Sequence, residues 1–150
     1  MPRDSLQIAN ELIKRASDAG SPISNLALQK LLYFSQGWYL ALANERLIDD
    51  EFEAWRYGPV VPGVYHAFKI YLSNPIPEDH LLAHHKASLT ENENNFLDKI
   101  WDVYGKLPPH QLVAISHDKD GPWRKVWDED NSGQMNDDEI KKYFISLANK

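Results

Sequence analysis

The chain has no cysteine, and this absence excludes disulfide bonds, thiolate metal sites and a cysteine nucleophile. Long hydrophobic runs are also missing, because no stretch approaches the roughly 18 consecutive apolar residues that a membrane-spanning helix needs. The N-terminal residues Met1 to Asp4 lack the apolar core of a signal peptide. We therefore expect a cytoplasmic protein that makes no contact with a membrane.

Basic residues are few, with 16 Lys and Arg against 22 Asp and Glu, so the formal net charge is −6. The overall field of such a chain repels phosphate backbones. Its densest basic positions, Lys14-Arg15, Arg124-Lys125 and Lys141-Lys142, are pairs that lie among acidic residues and form no basic stripe. We expect no direct binding to nucleic acid.

The residues that are present suit one ordinary globular domain. Hydrophobic residues make up 43% of the 150 positions and charged residues 25%, and a chain of this length buries one core. Five tryptophans and seven tyrosines are many for this length, and such side chains often anchor protein interfaces. We predict a single domain over residues 1–150 that binds another protein.

Apolar residues recur at helical spacing in six segments, which predicts a mainly α fold of about six helices. The predicted helices cover residues 5–19, 24–43, 60–72, 90–105, 111–117 and 136–147. Glu51 to Arg56 instead alternates between two sides, which is compatible with a short β element. Residues 73–88 hold two prolines and three histidines and are predicted to form a long surface loop.

Several unusual sequence blocks occur in a fixed order along nearly the whole chain. In the N-terminal half they are Leu28–Phe34, Gly37–Leu40, Phe52–Trp55 and Tyr57–Pro62. In the C-terminal half they are Leu112, Ser116-His117, Gly121–Trp123 and Tyr143-Phe144. Together these blocks closely resemble the Panacea antitoxin domain family, which includes phage-associated proteins and the SocA-type proteolytic adaptor.

The resemblance implies a mainly helical antitoxin that is encoded beside a toxin gene. From the residues themselves we expect no enzymatic activity and no cofactor. Its partner would be a cognate protein toxin, neutralised by direct contact. In the SocA-like branch the same contact also hands the toxin to a Clp protease, which is an alternative mechanism for this chain. Members of the family pair with chemically unrelated toxins, so the identity of the toxin does not carry over.

Two segments are candidates for the contact with the partner. The first is the tract that surrounds a glycine-proline turn: Trp55, Arg56, Tyr57, Gly58, Pro59, Val60 and Val61. An arginine between two aromatic residues on a rigid turn has the composition of an interface hot spot, although Gly58 and Pro59 are equally explained as a sharp entry into a helix. The second segment lies on the predicted second helix, where Leu28, Leu31, Leu32 and Trp38 mark the apolar stripe. Gln29, Lys30 and Tyr33 are polar members of the same motif and are predicted to contact the partner at the surface.

Two patterns suggest metal binding. Asp128 to Glu139 matches positions 1, 3, 5, 6 and 12 of an EF-hand loop, so a calcium-binding module is an alternative of another class. However, EF-hands usually occur in pairs, and Asn136 with Glu139 is already explained as a helix cap. His80, His84 and His85 have ligand spacing but no matching carboxylate. We predict no metal site.

A catalytic interpretation finds little support. His117-Asp118 is a suggestive pair, but the sequence holds no Gly-x-Ser-x-Gly elbow, no Gly-rich phosphate loop and no His-Glu-x-x-His run. We predict instead that the imidazole of His117 caps the end of a helix by bonding its free carbonyls. No residue is assigned a catalytic role.

Overall fold

The computed structural model describes residues 2–80, 88–127 and 133–150. Within these ranges the α-helices are α1 (Ser5–Asp18), α2 (Asn25–Ala43), α3 (Pro62–Phe68), α4 (Glu91–Tyr104), α5 (Pro109–Ser116), α6 (Pro122–Val126) and α7 (Asp137–Ala148). The strands are β1 (Glu53–Trp55), β2 (Gly58–Val60) and β3 (Gly133–Gln134). The prediction of a mainly α fold is confirmed.

The helix boundaries follow from local chemistry. Asp4 and Ser24 cap α1 and α2, since each side chain accepts a hydrogen bond from a backbone N–H of the first turn. Thr90 and Glu93 form the complete capping box that the sequence indicated for α4. Asn136 caps α7 by accepting from two backbone amides. These polar residues therefore place the helix starts within a residue or two of the predicted positions.

Helix α2 is the centre of the fold. It packs against α1, α3, α4, α5 and α7 and also contacts β2. Because neighbours surround it, thirteen of its nineteen residues are buried, far more than one apolar stripe would cover. Leu28, Leu31 and Leu32 are fully buried as predicted, and Trp38 is half-buried against the core. Gly37 allows α7 to approach closely, because a Cβ atom there would lie 2.1 Å from the ring of Phe144.

The β element is a three-stranded antiparallel sheet of order β2-β1-β3. In the register of β1 and β2, Glu53 lies opposite Val60, and Trp55 lies opposite Gly58. The predicted strand is therefore real but shorter than Glu51 to Arg56. The glycine-proline tract, which the sequence also explained as a sharp entry into a helix, is itself the edge strand β2, a position in which a proline is tolerated.

The segment after β2 differs from the prediction in two places. The predicted helix 60–72 is an α-helix only over α3; it continues as a 3₁₀ turn at Lys69–Tyr71. The predicted surface loop is partly core, because Ile76 is buried and its N–H donates to the carbonyl of Ile23 at 2.8 Å. A single buried isoleucine anchors the described residues 73–80, and periodicity cannot detect such an isolated contact. In the described part of the chain, no helix has both the length and the apolarity needed to cross a membrane.

Candidate functional site

The turn between β1 and β2 presents three side chains of the predicted contact segment. We call Trp55, Arg56 and Tyr57 the hairpin tip. Tyr57 is 60% exposed, and the guanidinium of Arg56 lies 5.7 Å from the centre of its ring. Trp55 is half-buried. The centre of its ring lies 5.1 Å from the centre of the Tyr65 ring, in an edge-to-face arrangement. The tip thus offers a large aromatic surface with a cation attached to it.

A groove of about 320 Å³ lies beside the tip, between the start of α2 and the end of α3. We call it the tip groove. Its lining residues are Asn25, Leu26, Gln29, Trp55, Arg56, Tyr57, Val60, Tyr65, Lys69, Leu72 and Ser73. Most of its surface is aliphatic or aromatic, and Arg56 and Lys69 supply positive charge. The structure therefore joins the predicted tip to residues of α3 and the following turn that the sequence did not single out.

Lys30 supports the hairpin tip from the interior of the protein. It is fully buried, which is rare for lysine, and its Nζ donates to the carbonyl of Pro59 at 2.8 Å. Burial lowers the pKa of Lys30 to about 7, because desolvation disfavours the ammonium form. The residue fastens β2 to α2 and does not reach the surface.

Gln29 holds the other end of β2. Its Oε1 accepts from the backbone N–H of Val61 at 3.0 Å, and its Nε2 donates to Asn25 Oδ1 at 3.0 Å. Asn25 in turn donates to the carbonyl of Tyr65 in α3, also at 3.0 Å. These linked hydrogen bonds, of which the two made by Gln29 are buried, fix the angle at which the backbone leaves β2 and enters α3.

Tyr33 lies in the aromatic core between α2, β1 and α7. Its ring is 1% exposed and contacts Phe34, Phe52 and Phe144. Burial raises its pKa well above the usual range, and the nearby Tyr143 and Asp118 add to the shift. The prediction that Gln29, Lys30 and Tyr33 lie at the surface is therefore wrong. It failed because α2 is enclosed on nearly every side, so positions off its apolar stripe are buried too.

Gly58, Pro59, Val60 and Val61 are also buried, so they support the hairpin tip rather than extend it. Gly58 has φ +113°, a conformation that glycine adopts without strain. A Cβ atom there would lie 2.7 Å from both Lys30 Cε and Ser116 Oγ. The glycine therefore permits both the turn and the close approach of β2 to α2 and α5.

Trp123 braces the tip from the C-terminal half of the chain. Its indole N–H donates to the carbonyl of Trp55 at 2.7 Å, and its ring stacks on His117 at 3.7 Å with an interplanar angle of 7°. His117 does end α5, but its backbone N–H bonds the last carbonyls while its imidazole stacks. The prediction that the imidazole caps the helix is therefore wrong, because the backbone N–H of His117 makes the capping bonds. Burial lowers the pKa of His117, and Lys30 and Arg124 lower it further.

The second member of the suggestive pair has a structural role as well. Asp118 accepts from the hydroxyl of Tyr143 at 2.7 Å, and this bond lowers the pKa of its carboxyl group. It thereby ties the end of α5 to α7. No group of three histidines or carboxylates in residues 2–80, 88–127 and 133–150 converges as a metal site.

The two metal-binding patterns fall largely outside these ranges. His84 and His85 lie outside the described residues, and so do the first five positions of the calcium-loop pattern, Asp128 to Ser132. Its twelfth position, Glu139, is described, and its carboxylate pairs with Lys125 Nζ at 2.6 Å. The calcium-binding alternative is therefore not tested by the described residues.

These features define a class of protein: a helical domain that presents a braced hairpin tip beside an apolar groove. The family described as antitoxin SocA-like, Panacea domain, matches residues 28–124. A similar protein is antitoxin SocA of Caulobacter vibrioides (strain NA1000 / CB15N), which is 37% identical over 128 residues that span 80% of this chain and 68% of SocA. No solved structure matches the chain.

The chain therefore belongs to the SocA-like antitoxin family with a Panacea domain. The matched range holds the hairpin tip, the buried Lys30 and Gln29 that support it, and Trp123. Membership supports an antitoxin role and suggests that this role is regulatory rather than enzymatic.

Proposed function

We propose that this protein is the antitoxin of a toxin-antitoxin pair and that it neutralises its cognate toxin by direct contact through the hairpin tip. One observation carries the proposal. The tip exposes an arginine and an aromatic ring, while hydrogen bonds hold the backbone on both sides of it: α2 bonds Pro59 and Val61, and Trp123 bonds the carbonyl of Trp55. A surface whose conformation is fixed before binding loses little conformational entropy when it binds. More of the free energy of the contacts therefore appears as affinity.

The mechanism is occlusion of the toxin rather than chemistry. Aromatic and arginine side chains of this kind dominate the binding energy of protein interfaces. An interface of standard size, about 800 Å² on each partner, is much larger than the tip. The tip is therefore the anchor of the contact, and the surrounding surface excludes water around it.

The test is co-expression with the toxin encoded by the adjacent gene. Replacing Arg56 and Tyr57 together by alanine should abolish most of the protection from the toxin, because each such anchor is commonly worth about 2 kcal/mol or more. The melting temperature should remain close to that of the wild-type chain, since both side chains are exposed. Growth, co-purification of the two proteins and circular dichroism measure these outcomes.

The matched controls are Leu42→Ala and Val103→Ala. Their side chains are 68% and 64% exposed, as open as Tyr57, but they lie at the other end of α2. If the protein neutralises the toxin by occlusion alone, both control variants should protect cells as well as the wild-type protein does. Full protection by a folded Arg56→Ala, Tyr57→Ala double variant would remove the hairpin tip from the proposal.

A second candidate function is that of an adaptor that delivers the bound toxin to a Clp protease. The observation that favours it is a second apolar groove, formed where the C-terminal half of α2 meets α4. Its lining residues are Trp38, Leu42, Phe96, Lys99, Ile100, Val103 and Tyr104. An adaptor has to hold two proteins at once, and the second groove lies at the opposite end of α2 from the tip groove.

The adaptor function predicts that the half-life of the toxin depends on this chain. In cells that contain a Clp protease, the toxin should disappear faster when the wild-type protein is present, which a pulse-chase experiment measures. Val103→Asp should restore a long half-life while the toxin remains bound, because a charge in the second groove opposes an apolar contact. A toxin that is neutralised at constant abundance would leave occlusion as the only mechanism.

A further inference from the structure

We propose that the tip groove binds an apolar segment of the toxin that also carries carboxylate side chains. This inference rests on the proposed function, because it states which chemistry of the toxin the tip recognises. It is carried by three features of the groove: the sign of its charge, the exposed apolar residues in its lining, and the rigidity of its walls.

The charge of the tip groove is opposite to that of the whole chain. The net charge is −6, yet the described residues that line this groove include two cations, Arg56 and Lys69, and no acid. Both cations lie on exposed positions at the rim. The carboxylate of Glu53, which accepts from the indole N–H of Trp55 at 2.9 Å, keeps its negative charge but is not among the lining residues. A local positive patch on an acidic protein selects an acidic partner and repels a basic one.

Two lining residues of the groove expose large apolar surfaces. Tyr57 is 60% exposed and Leu72 is 77% exposed. A segment of a protein chain that lies in the groove can cover both side chains together with the groove floor, which favours a peptide segment as the occupant.

Leu72 stands in an unusual backbone conformation, with φ +55° and ψ −124°. It occupies the second position of a turn closed by a hydrogen bond from Asn74 N–H to the carbonyl of Tyr71 at 3.0 Å. Glycine is the usual residue at such a position, and a branched side chain there is strained. The strained backbone therefore keeps the apolar side chain of Leu72 exposed at the groove. Packing within this chain does not stabilise that exposed position.

Hydrogen bonds within the chain fix the walls of the tip groove in the absence of a partner. Gln29 bonds the backbone of Val61, and Asn25 bonds the carbonyl of Tyr65. Trp55 is fixed by its contact with Tyr65 and by the indole of Trp123. A rigid groove of about 320 Å³ accepts a few side chains of defined shape, so a short apolar motif flanked by acids is the matching element.

The first test is a photo-crosslink in the complex of the full chain with the toxin of the adjacent gene. Tyr57 is replaced by p-benzoyl-phenylalanine, and the captured toxin peptide is identified by mass spectrometry. The expected peptide combines apolar residues with Asp or Glu within a few positions of the crosslinked residue. The same replacement at Val103, in the second groove, should not capture this peptide. A captured peptide that is basic or lacks acids would overturn the inference.

The second test reverses the charge of the rim. Arg56→Glu combined with Lys69→Glu should raise the dissociation constant of the complex by about tenfold or more and reduce its dependence on salt. Lys106→Glu combined with Lys142→Glu is the matched control, since it also reverses two exposed cations, and neither lysine lines the tip groove. It should change the dissociation constant by about twofold or less. Equal effects of the two reversals would show that net charge, and not the groove, governs binding.

The outcomes separate this inference from the proposed function. If the wild-type chain neither protects cells nor binds the toxin, the proposed function fails and the inference with it. If protection and binding are normal but no acidic apolar peptide is captured at Tyr57, only the inference fails. Leu72→Gly adds an independent readout: it should keep or raise the melting temperature by relieving strain, and should weaken binding because the apolar rim is shortened.

Discussion

Replacing Gly58 by alanine is expected to destabilise the protein by about 2–5 kcal/mol. The positive φ angle of this residue costs an L-amino acid about 1–2 kcal/mol, and an added methyl group in a packed interior costs a further 1–3 kcal/mol. The new Cβ atom would meet Lys30 and Ser116, which are both buried and hydrogen-bonded. For a chain of this size, the melting temperature should fall by roughly 4–20 °C.

Gly63→Ala is the matched control, five residues further along. No atom lies within 4 Å of a Cβ built at Gly63, which belongs to the first turn of α3. Alanine favours a helix over glycine, so this variant should be unchanged or more stable by about 0.5–1 kcal/mol. Thermal unfolding followed by circular dichroism compares the two. A Gly58→Ala protein as stable as Gly63→Ala would show that β2 does not approach α2 closely at this residue.

Lys30 should make the stability of the protein depend on pH. Its pKa is about 7 in the folded state and near 10.4 in an unfolded chain. Between these values the unfolded state holds more protons than the folded state, so the free energy of unfolding rises with pH. The rise attributable to Lys30 should amount to about 2–3 kcal/mol between pH 7 and pH 9. Below pH 6 its contribution is constant, since both states are then protonated.

Lys30→Met isolates this effect. Urea unfolding at pH 6, 7, 8 and 9 should show that the difference in unfolding free energy, wild type minus variant, grows in favour of the wild type above pH 7. His117 lies close by, but its lowered pKa places its titration below this window. The exposed Lys106 is the control: the unfolding free energy of Lys106→Met should change with pH in parallel with that of the wild type. Parallel curves for Lys30→Met would show that the buried amine does not change protonation on folding.

The same variant also tests the support of the hairpin tip. Methionine fills the space of lysine but cannot donate to the carbonyl of Pro59, so the tip loses one of its fastenings. A Lys30→Met protein that is folded at pH 7 should bind the toxin more weakly than the wild type. This loss would arise without any change at the surface that contacts the toxin.

Local signals in the sequence placed most of the helices correctly. The side chains of Asp4, Ser24, Thr90 and Asn136 bond the first backbone amides of their helices, so the starts of these helices depend on neighbours within three residues. The aromatic residues on either side of Arg56 likewise indicated the exposed tip from the sequence alone. Such features are local, and a local pattern is sufficient to predict them.

The roles of Gln29, Lys30 and Tyr33 were misjudged for a physical reason. Their polarity and their position off the apolar stripe indicated exposure, which holds for a helix with one buried face. Helix α2 is enclosed by five other helices and by β2. Partners 29 and 32 residues away in the sequence satisfy the polar atoms of Lys30 and Gln29. Spacing within a single helix carries no information about such partners.

By itself the sequence determined the mainly helical class, the helix starts, the family and the aromatic turn, because each depends on neighbouring residues or on ordered motifs. Tertiary structure alone decided that β2 is fastened by a buried lysine, that Trp123 braces the turn, and that Leu72 and Lys69 complete the tip groove. These features join residues up to 68 positions apart. They arise only when packing places distant groups within hydrogen-bonding or van der Waals distance of one another.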